Sequence, residues 1–278
     1  MIQVENVSFA YSDQAATVKD LSFHIEKGEF VALLGANGTG KTTTVRLIDG
    51  LLRPTKGRVL IQGADTAVTS VSERARHVGF LFQNPDRQIC KNTVREEIMF
   101  GLRTVRDDES EEQLNARCDK VLEDFGFTGE EEPFSLSRGQ RQRVALASIL
   151  AVEPEILILD EPTAGQDYRH YTEIMEFLRG LNREMGLTIL MITHDMHLML
   201  EYTDRALVLT GGELIGDRTP AEILTDPEIT ERASLKKTSL YDLALTCGIS
   251  DPAAFAHRFI LYERSLRQTA SGQGREVQ

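Results

Sequence analysis

Residues 35–43 read GANGTGKTT, directly after the apolar run EFVALLG and directly before a helix-like stretch. The order fits G-x-x-x-x-G-K-[ST] in the strand-then-helix context of a phosphate-binding P-loop. Glycines let the backbone turn its N–H groups onto phosphate oxygens, and the start of the helix adds a positive dipole end. Gly35, Ala36, Asn37, Gly38, Thr39, Gly40, Lys41, Thr42 and Thr43 are therefore expected to bind a nucleotide. Lys41 would reach the β- and γ-phosphates, and the Thr42 hydroxyl would ligate Mg²⁺. The plainer alternative is a glycine-rich turn with an incidental lysine.

Three further positions close apolar runs. Asp160 ends ILILD and is placed to hold Mg²⁺ partly through water. Glu161 follows it and could polarise a water for attack on the γ-phosphate; a loop start or helix cap would use the same residues. His194 ends LMITH, at the sheet edge where open α/β folds bind ligands, and could contact the γ-phosphate. Gln83 ends FLFQ, within reach of both Mg²⁺ and the water, although a polar residue at a strand-to-loop junction needs no such role.

These residues need a sheet to position them, and the pattern supplies one. EFVALLG, HVGFLFQN, EILILDEP and LTILMITHD are short apolar runs, the mark of strands buried on both faces. Long helical patterns such as residues 171–185 alternate with them, which implies a mainly parallel sheet covered by helices. Residues 2–63 read as strands broken by turns, with one helix after Lys41 and no secretory signal at the start. From Thr93 to Ala151 the spacing is helical without a convincing strand, so a helical subdomain of about residues 84–155 is expected inside the α/β core. Gly211-Gly212 suggests a hairpin turn. The remainder reads as helical and polar, ending in a frayed tail, SGQGREVQ.

The 278 residues carry a formal charge of −12, which argues against a nucleic-acid-binding surface. No run of about 18 apolar residues occurs, so a membrane role would have to pass through a partner. Cys90, Cys118 and Cys247 lie far apart, with no paired spacing for zinc, and read as buried or neutral thiols in a reducing cytoplasm.

The P-loop, FLFQNP, LSRGQRQR, ILILDEPTAGQD and ITHD occur in the order of an ABC-type ATPase, and residues 2–230 resemble that family. The resemblance implies a P-loop NTPase (RecA-like) α/β fold with an N-terminal antiparallel β part. It also implies two nucleotide-binding domains, in a homodimer or with a paralogue, closing head to tail on ATP and Mg²⁺. Tyr11 would then stack on adenine, unless it is an ordinary strand aromatic. LSRGQ stands where the family usually has LSGGQ. Ser137, Arg138, Gly139 and Gln140 would face the γ-phosphate bound by the opposite protomer, and Ser137 would also serve as an N-cap. Arg138 departs from the pattern and could add charge near the phosphates or point outward. Asp167 fits the D-loop position that meets the facing protomer.

FQNPDRQ followed by TVREEIMFGL is similar to energy-coupling factor importers and related cobalt and nickel systems. Residues 231–278 resemble their C-terminal helical extension, which helps to pair the two ATPases. By that resemblance the partners are a transmembrane coupling protein and a small membrane substrate-binding component, at the cytoplasmic face of the membrane. Alternatives are another ABC transporter class, or a soluble ABC protein, which should show tandem cassettes or basic patches. Residues 84–102 are expected to dock an arginine-bearing helix, through Ile89, Ile98, Met99 and Phe100 with Asp86, Glu96 and Glu97. The alternative is that the apolar residues only pack the subdomain and the acids are solvated.

Overall fold

The computed structural model describes residues 1–12, 15–163, 168–235 and 239–273. In chain order the elements begin with strands β1 (Ile2–Phe9), β2 (Val18–Ile25) and β3 (Phe30–Leu34), then helix α1 (Lys41–Ile48). Next come β4 (Lys56–Ile61), β5 (Ala64–Asp65), α2 (Val71–Ala75) and β6 (Val78–Leu81). Three helices follow, α3 (Val94–Val105), α4 (Glu111–Phe125) and α5 (Arg138–Leu150), before β7 (Ile156–Asp160). Then come α6 (Tyr168–Met185), β8 (Thr188–Ile192), α7 (Met196–Tyr202), β9 (Arg205–Thr210) and β10 (Glu213–Arg218). The chain closes with α8 (Pro220–Thr225), α9 (Pro227–Arg232), α10 (Ser239–Thr246) and α11 (Pro252–Gln273).

Six strands form the larger sheet in the order β10-β9-β3-β8-β7-β6. The neighbours are parallel apart from the β9–β10 hairpin, which turns at Gly211 and Gly212, both with positive φ. All five residues of β3 and of β8 are buried, as an unbroken apolar run requires of a strand covered on both faces. Successive side chains leave opposite faces. Leu157 and Leu159 pack with α3–α6, whereas Ile156 and Ile158 pack with α1 and the smaller sheet. That smaller sheet, β2-β1-β4-β5, is antiparallel, and β1 alternates buried and exposed positions as a one-sided strand does.

Between β6 and β7 the regular structure is helical, as the spacing predicts. Side chains of Thr93, Ser110 and Ser137 cap α3, α4 and α5, satisfying backbone donors at each helix start. The C-terminal helices are less polar than the sequence suggests. Ala256 and Ile260 of α11 are fully buried with Met196 and Met199 of α7 and Leu34 of β3. Leu243, Leu245, Leu261, Tyr262 and Leu266 lie exposed on α10 and α11. Helix α11 runs into the stretch expected to fray, and residues 274–278 lie outside the described residues. The three cysteines are free, but only Cys118 is buried; Cys90 and Cys247 are exposed. Burial raises the Cys118 thiol above its ordinary range; Cys90, although exposed as a residue, is raised by partial desolvation of its thiol and by the neighbouring Glu97 carboxylate.

The far end of α1 is pinned by a buried arginine. Arg74 donates to the carbonyls of Asp49 (3.1 Å), Gly50 (3.3 Å) and Thr66 (3.0 Å). Burial pushes the Asp49 carboxyl up to about 7, with Arg74 pulling the other way. A carboxyl raised by folding holds its proton more tightly in the native state. Its stabilising contribution is present below the ordinary carboxylate range and is lost as pH rises towards 7. Asp49→Asn is expected to flatten that loss in urea melts between about pH 4 and about pH 7. An unchanged slope would assign the pH dependence to other groups.

Candidate nucleotide site

Gly35 follows β3 with φ 144°, and a Cβ there would lie 2.3 Å from the Leu209 carbonyl oxygen. Gly40 caps α1 in the left-handed region, φ 99°, where a Cβ would meet the Thr17 carbonyl oxygen at 2.8 Å. Only glycine fits at either place. No side chain caps α1, so its first N–H groups stay open towards the loop. Lys41 folds back beneath that loop, its Nζ donating to the carbonyls of Gly35 (2.8 Å) and Ala36 (3.0 Å). Burial lowers its pKa, while Glu161 and Asp160 act to raise it.

The loop floors an open cleft of about 730 Å³ at the C-terminal edge of the larger sheet. Gly35, Ala36, Asn37, Gly38, Gly40, Lys41, Thr42 and Thr43 line it, opposite Gln83, Asp160, Glu161 and His194. Thr39 is buried instead, its hydroxyl donating to the Ala36 carbonyl at 2.9 Å, so it shapes the loop from within. Gln83, Glu161 and His194 sit just beyond three adjacent strands, β6, β7 and β8, and meet over the cleft. Gln83 Nε2 donates to Glu161 Oε2 at 2.6 Å, and His194 Nδ1 lies 3.3 Å from Glu161 Oε1. Glu161 takes a left-handed backbone, φ 49°, and its N–H donates to the Ile192 carbonyl at 3.1 Å. The strained turn and the two side-chain partners fix the carboxylate over the cleft. Burial, followed by the neighbouring Glu161, raises the Asp160 carboxyl above its ordinary range, with Arg46 and Lys41 opposing.

Other expected residues stand elsewhere. Tyr11 lies beside the cleft rather than in its lining. It is 38% exposed, with its ring edge-on to Phe9 at 4.9 Å and its hydroxyl 3.3 Å from that of Thr43. Ser137, Arg138, Gly139 and Gln140 form the first turn of α5, outside this chain's own cleft. Ser137 Oγ accepts from the Gln140 N–H (3.3 Å), and Gln140 Oε1 accepts from the Ser137 N–H (3.0 Å). Arg138 is exposed on that turn. Asp167 lies outside the described residues.

Of the residues expected to form a docking groove in residues 84–102, only Glu96 and Phe100 stand exposed outside an ion pair. Ile89, Ile98 and Met99 are buried in the subdomain core. Glu97 is 4% exposed and accepts from the N–H groups of Cys90 and Lys91, both at 2.9 Å. Asp86 is paired with Arg141. Glu96 and Phe100 remain exposed, with Lys91 Nζ 4.1 Å from the centre of the Phe100 ring. The helical spacing of Ile98 and Met99 marks a face packed on α5, not one left open.

Sequence reasoning also missed Thr17, Met196, Ala233, Ser234 and Leu235, which line the cleft from distant segments. It missed Gln142 as well, which is 3% exposed and whose amide donates to the Pro162 carbonyl, next to Glu161. Gln142 stands between Arg141 and Arg143, ahead of the apolar VALASIL run, and only its packing marks it.

Residues 18–164 match the family model described as ABC transporter. The fold matches the structure of cbiO1 from Clostridium perfringens, part of the ABC transporter complex cbiONQ, at TM-score 0.74 and 32% identity. That match covers 89% of this chain and 98% of the other. The chain belongs to the ABC transporter family. Its curated relatives are described as ATP-binding proteins of that family. A second similar structure is the MJ0796 cassette, a dimer in a post-hydrolysis state bound to ADP and Pi. It shares 29% identity and a TM-score of 0.70, over 79% of this chain and 99% of that one. A Clostridium perfringens protein described as an ABC transporter ATP-binding protein is 46% identical over 96% of this chain. An Enterococcus faecalis protein of the same description is 45% identical over 96%. The chain spans about half the length of these curated relatives, 47% in both cases.

Lys41→Ala removes both the ammonium and the two bonds that brace the loop. It is expected to weaken ATP binding by the isolated chain about a hundredfold, the loss of a charge-assisted phosphate contact and more. Fluorescent-nucleotide titration checks this, and wild-type affinity would remove Lys41 from the phosphate site.

Proposed function

We propose that the chain is the ATP-hydrolysing subunit of an importer of the energy-coupling factor or cobalt–nickel type, driven by head-to-tail closure of two cassettes. The observation that carries the ATPase part is the Gln83–Glu161–His194 cluster held opposite the P-loop. Glu161 takes a proton from water as the water oxygen attacks the γ-phosphorus. The bond from that phosphorus to the bridging oxygen breaks, leaving ADP and inorganic phosphate. Gln83 and His194 hold Glu161 in position for this. Lys41 and the open N–H groups of α1 hold the phosphates. Tyr11 sits at the edge of the cleft, where its exposed ring face can receive adenine.

Among the described residues, no group of three or more His, Cys, Asp and Glu gathers as a metal site. The cleft lining offers oxygen donors in the Thr42 hydroxyl, the Asp160 carboxylate and the Gln83 amide oxygen. That hard, sparse set fits Mg²⁺, which keeps phosphate and water among its ligands. Bound there, the ion would neutralise charge on the β- and γ-phosphate oxygens.

The first turn of α5 lies outside its own cleft and presents Ser137 and Arg138 to solvent. We assign this turn, with Asp167, to the cleft of a facing cassette. The dimeric MJ0796 structure and the exposed leucines of α10 and α11 support pairing. Likeness to cbiO1, part of the ABC transporter complex cbiONQ, supports the importer branch and, with it, a place at the cytoplasmic face of the membrane. Among the described residues no helix is long and apolar enough to cross a membrane. A transmembrane coupling protein and a small substrate-binding membrane protein are the proposed partners.

Glu161→Gln is expected to keep ATP binding while lowering turnover on the order of a hundredfold or more. Phosphate release measured beside nucleotide binding checks this, and turnover within about threefold of wild type would leave Glu161 without the base role. For the importer, the tagged chain should co-purify from detergent-solubilised membranes with one large and one small membrane protein. Glu96→Lys with Phe100→Ala should reduce that recovery while ATP binding is kept. Recovery of a transporter without the small subunit would point to another ABC class.

A further inference from the structure

Two contacts tie the start of α5 to the loops that carry Gln83 and Glu161. The segment after Gln83 is a rigid 3-10 turn, Pro85–Arg87. Asn84 Oδ1 accepts from the Asp86 N–H at 3.1 Å, and Gln88 Oε1 accepts from the Phe82 N–H at 3.3 Å. Pro85 is buried, and these two bonds fasten the turn to the end of β6. Asp86 Oδ1 projects from it and lies 2.6 Å from Arg141 Nε. That Nε is closed off from solvent and makes no hydrogen bond of its own, but the carboxylate facing it is half exposed, so the pair as a whole is partly solvated and adds little to stability. The same guanidinium donates through Nη1 to the Leu136 carbonyl, the backbone immediately before Ser137. One residue on, the buried Gln142 side chain donates to the Pro162 carbonyl, immediately after Glu161.

We propose that the Asp86–Arg141 ion pair is a positioning link between the chain's own cleft and the first turn of α5. A shift of Gln83 on its ligand moves the Pro85–Arg87 turn. The turn carries Asp86, Asp86 carries Arg141, and Arg141 holds the carbonyl that leads into Ser137. Gln142 on Pro162 adds a second point of attachment, so α5 follows as a body instead of bending. The inference rests on the assignment of the α5 turn to a facing cassette. It adds that occupancy of one cleft sets the pose of Ser137 and Arg138 for the other. Neither Asp86 nor Arg141 lines the chain's own cleft. Both act through Gln83 on one side and Ser137 on the other.

Steady-state ATPase assays, nucleotide titration and thermal melts on the full chain test the link. Asp86→Asn and Arg141→Gln should each lower kcat on the order of tenfold, because a small displacement of an aligned group is costly. ATP affinity of the chain's own cleft and the melting temperature should stay at wild-type values. The double variant should be no worse than either single one, as expected for two groups acting as one unit. Asp86→Arg combined with Arg141→Asp should recover most of the lost kcat. A static strut would lower the melting temperature along with turnover, and the swap would not restore kcat selectively. Full kcat in the single variants, a double loss equal to the product of the single losses, or a failed swap in a folded protein would each overturn the link. Ser137→Ala separates the two levels. If it leaves turnover intact, the facing-site assignment fails and the link with it. If it abolishes turnover while the pair variants are silent, only the link fails.

Discussion

Asp160 and Glu161 stand in succession at the end of a strand whose other residues are buried, where two carboxylates repel each other and lose contact with water. Arg46 and Lys41 are the cations set against Asp160, and Lys41 too is buried, held on carbonyls of its own loop. Burial shifts Lys41 down and Asp160 up, each towards its neutral form, while each opposes the shift in the other. The P-loop, the strand ends and α1 have to hold these groups at fixed distances. That accounts for the steric exclusion of any side chain at Gly35 and Gly40 and for the left-handed turn at Glu161.

The parallel sheet makes this arrangement possible by ending several strands at one edge. Gln83, Glu161 and His194 come from segments far apart in the chain, yet adjacent strand ends bring their side chains within hydrogen-bond reach. The same edge continues to α9, whose end brings Ser234 and Leu235 into the cleft lining. The C-terminal helices pack on this side of the core. Their buried face shares a core with β3 and β9, and their outer face keeps five large apolar side chains exposed.

Much of the sheet and the phosphate loop was legible in the sequence because their causes are local. A strand buried on both faces must be an apolar run, and a loop that folds back on its own N–H groups must use glycine where a Cβ would collide. The helices between β6 and β7 announced themselves by spacing for the same reason. What spacing could not show was which partner a polar residue would find. Asp86, Glu96 and Glu97 look alike in sequence, yet one is paired to Arg141, one is exposed and one is buried under two backbone N–H groups. Arg141, Gln142 and Ser234 acquire their positions only from tertiary packing, and no local signal distinguishes Arg141 from its neighbours Arg138 and Arg143. Ile98 and Met99 misled for the opposite reason: an amphipathic face suits a partner helix inside the domain as well as one outside it.

The reciprocal cap at the start of α5 leaves Ser137 with an asymmetric inventory. Its oxygen already accepts from the Gln140 N–H, and its own N–H is already given to Gln140 Oε1. The hydroxyl proton is the one group still to be placed, and a hydroxyl rotates at little cost to find an acceptor. An anion arriving at this turn can take that proton without breaking the cap. The helix is thus already ordered before anything binds, and contact there costs the chain almost no conformational entropy.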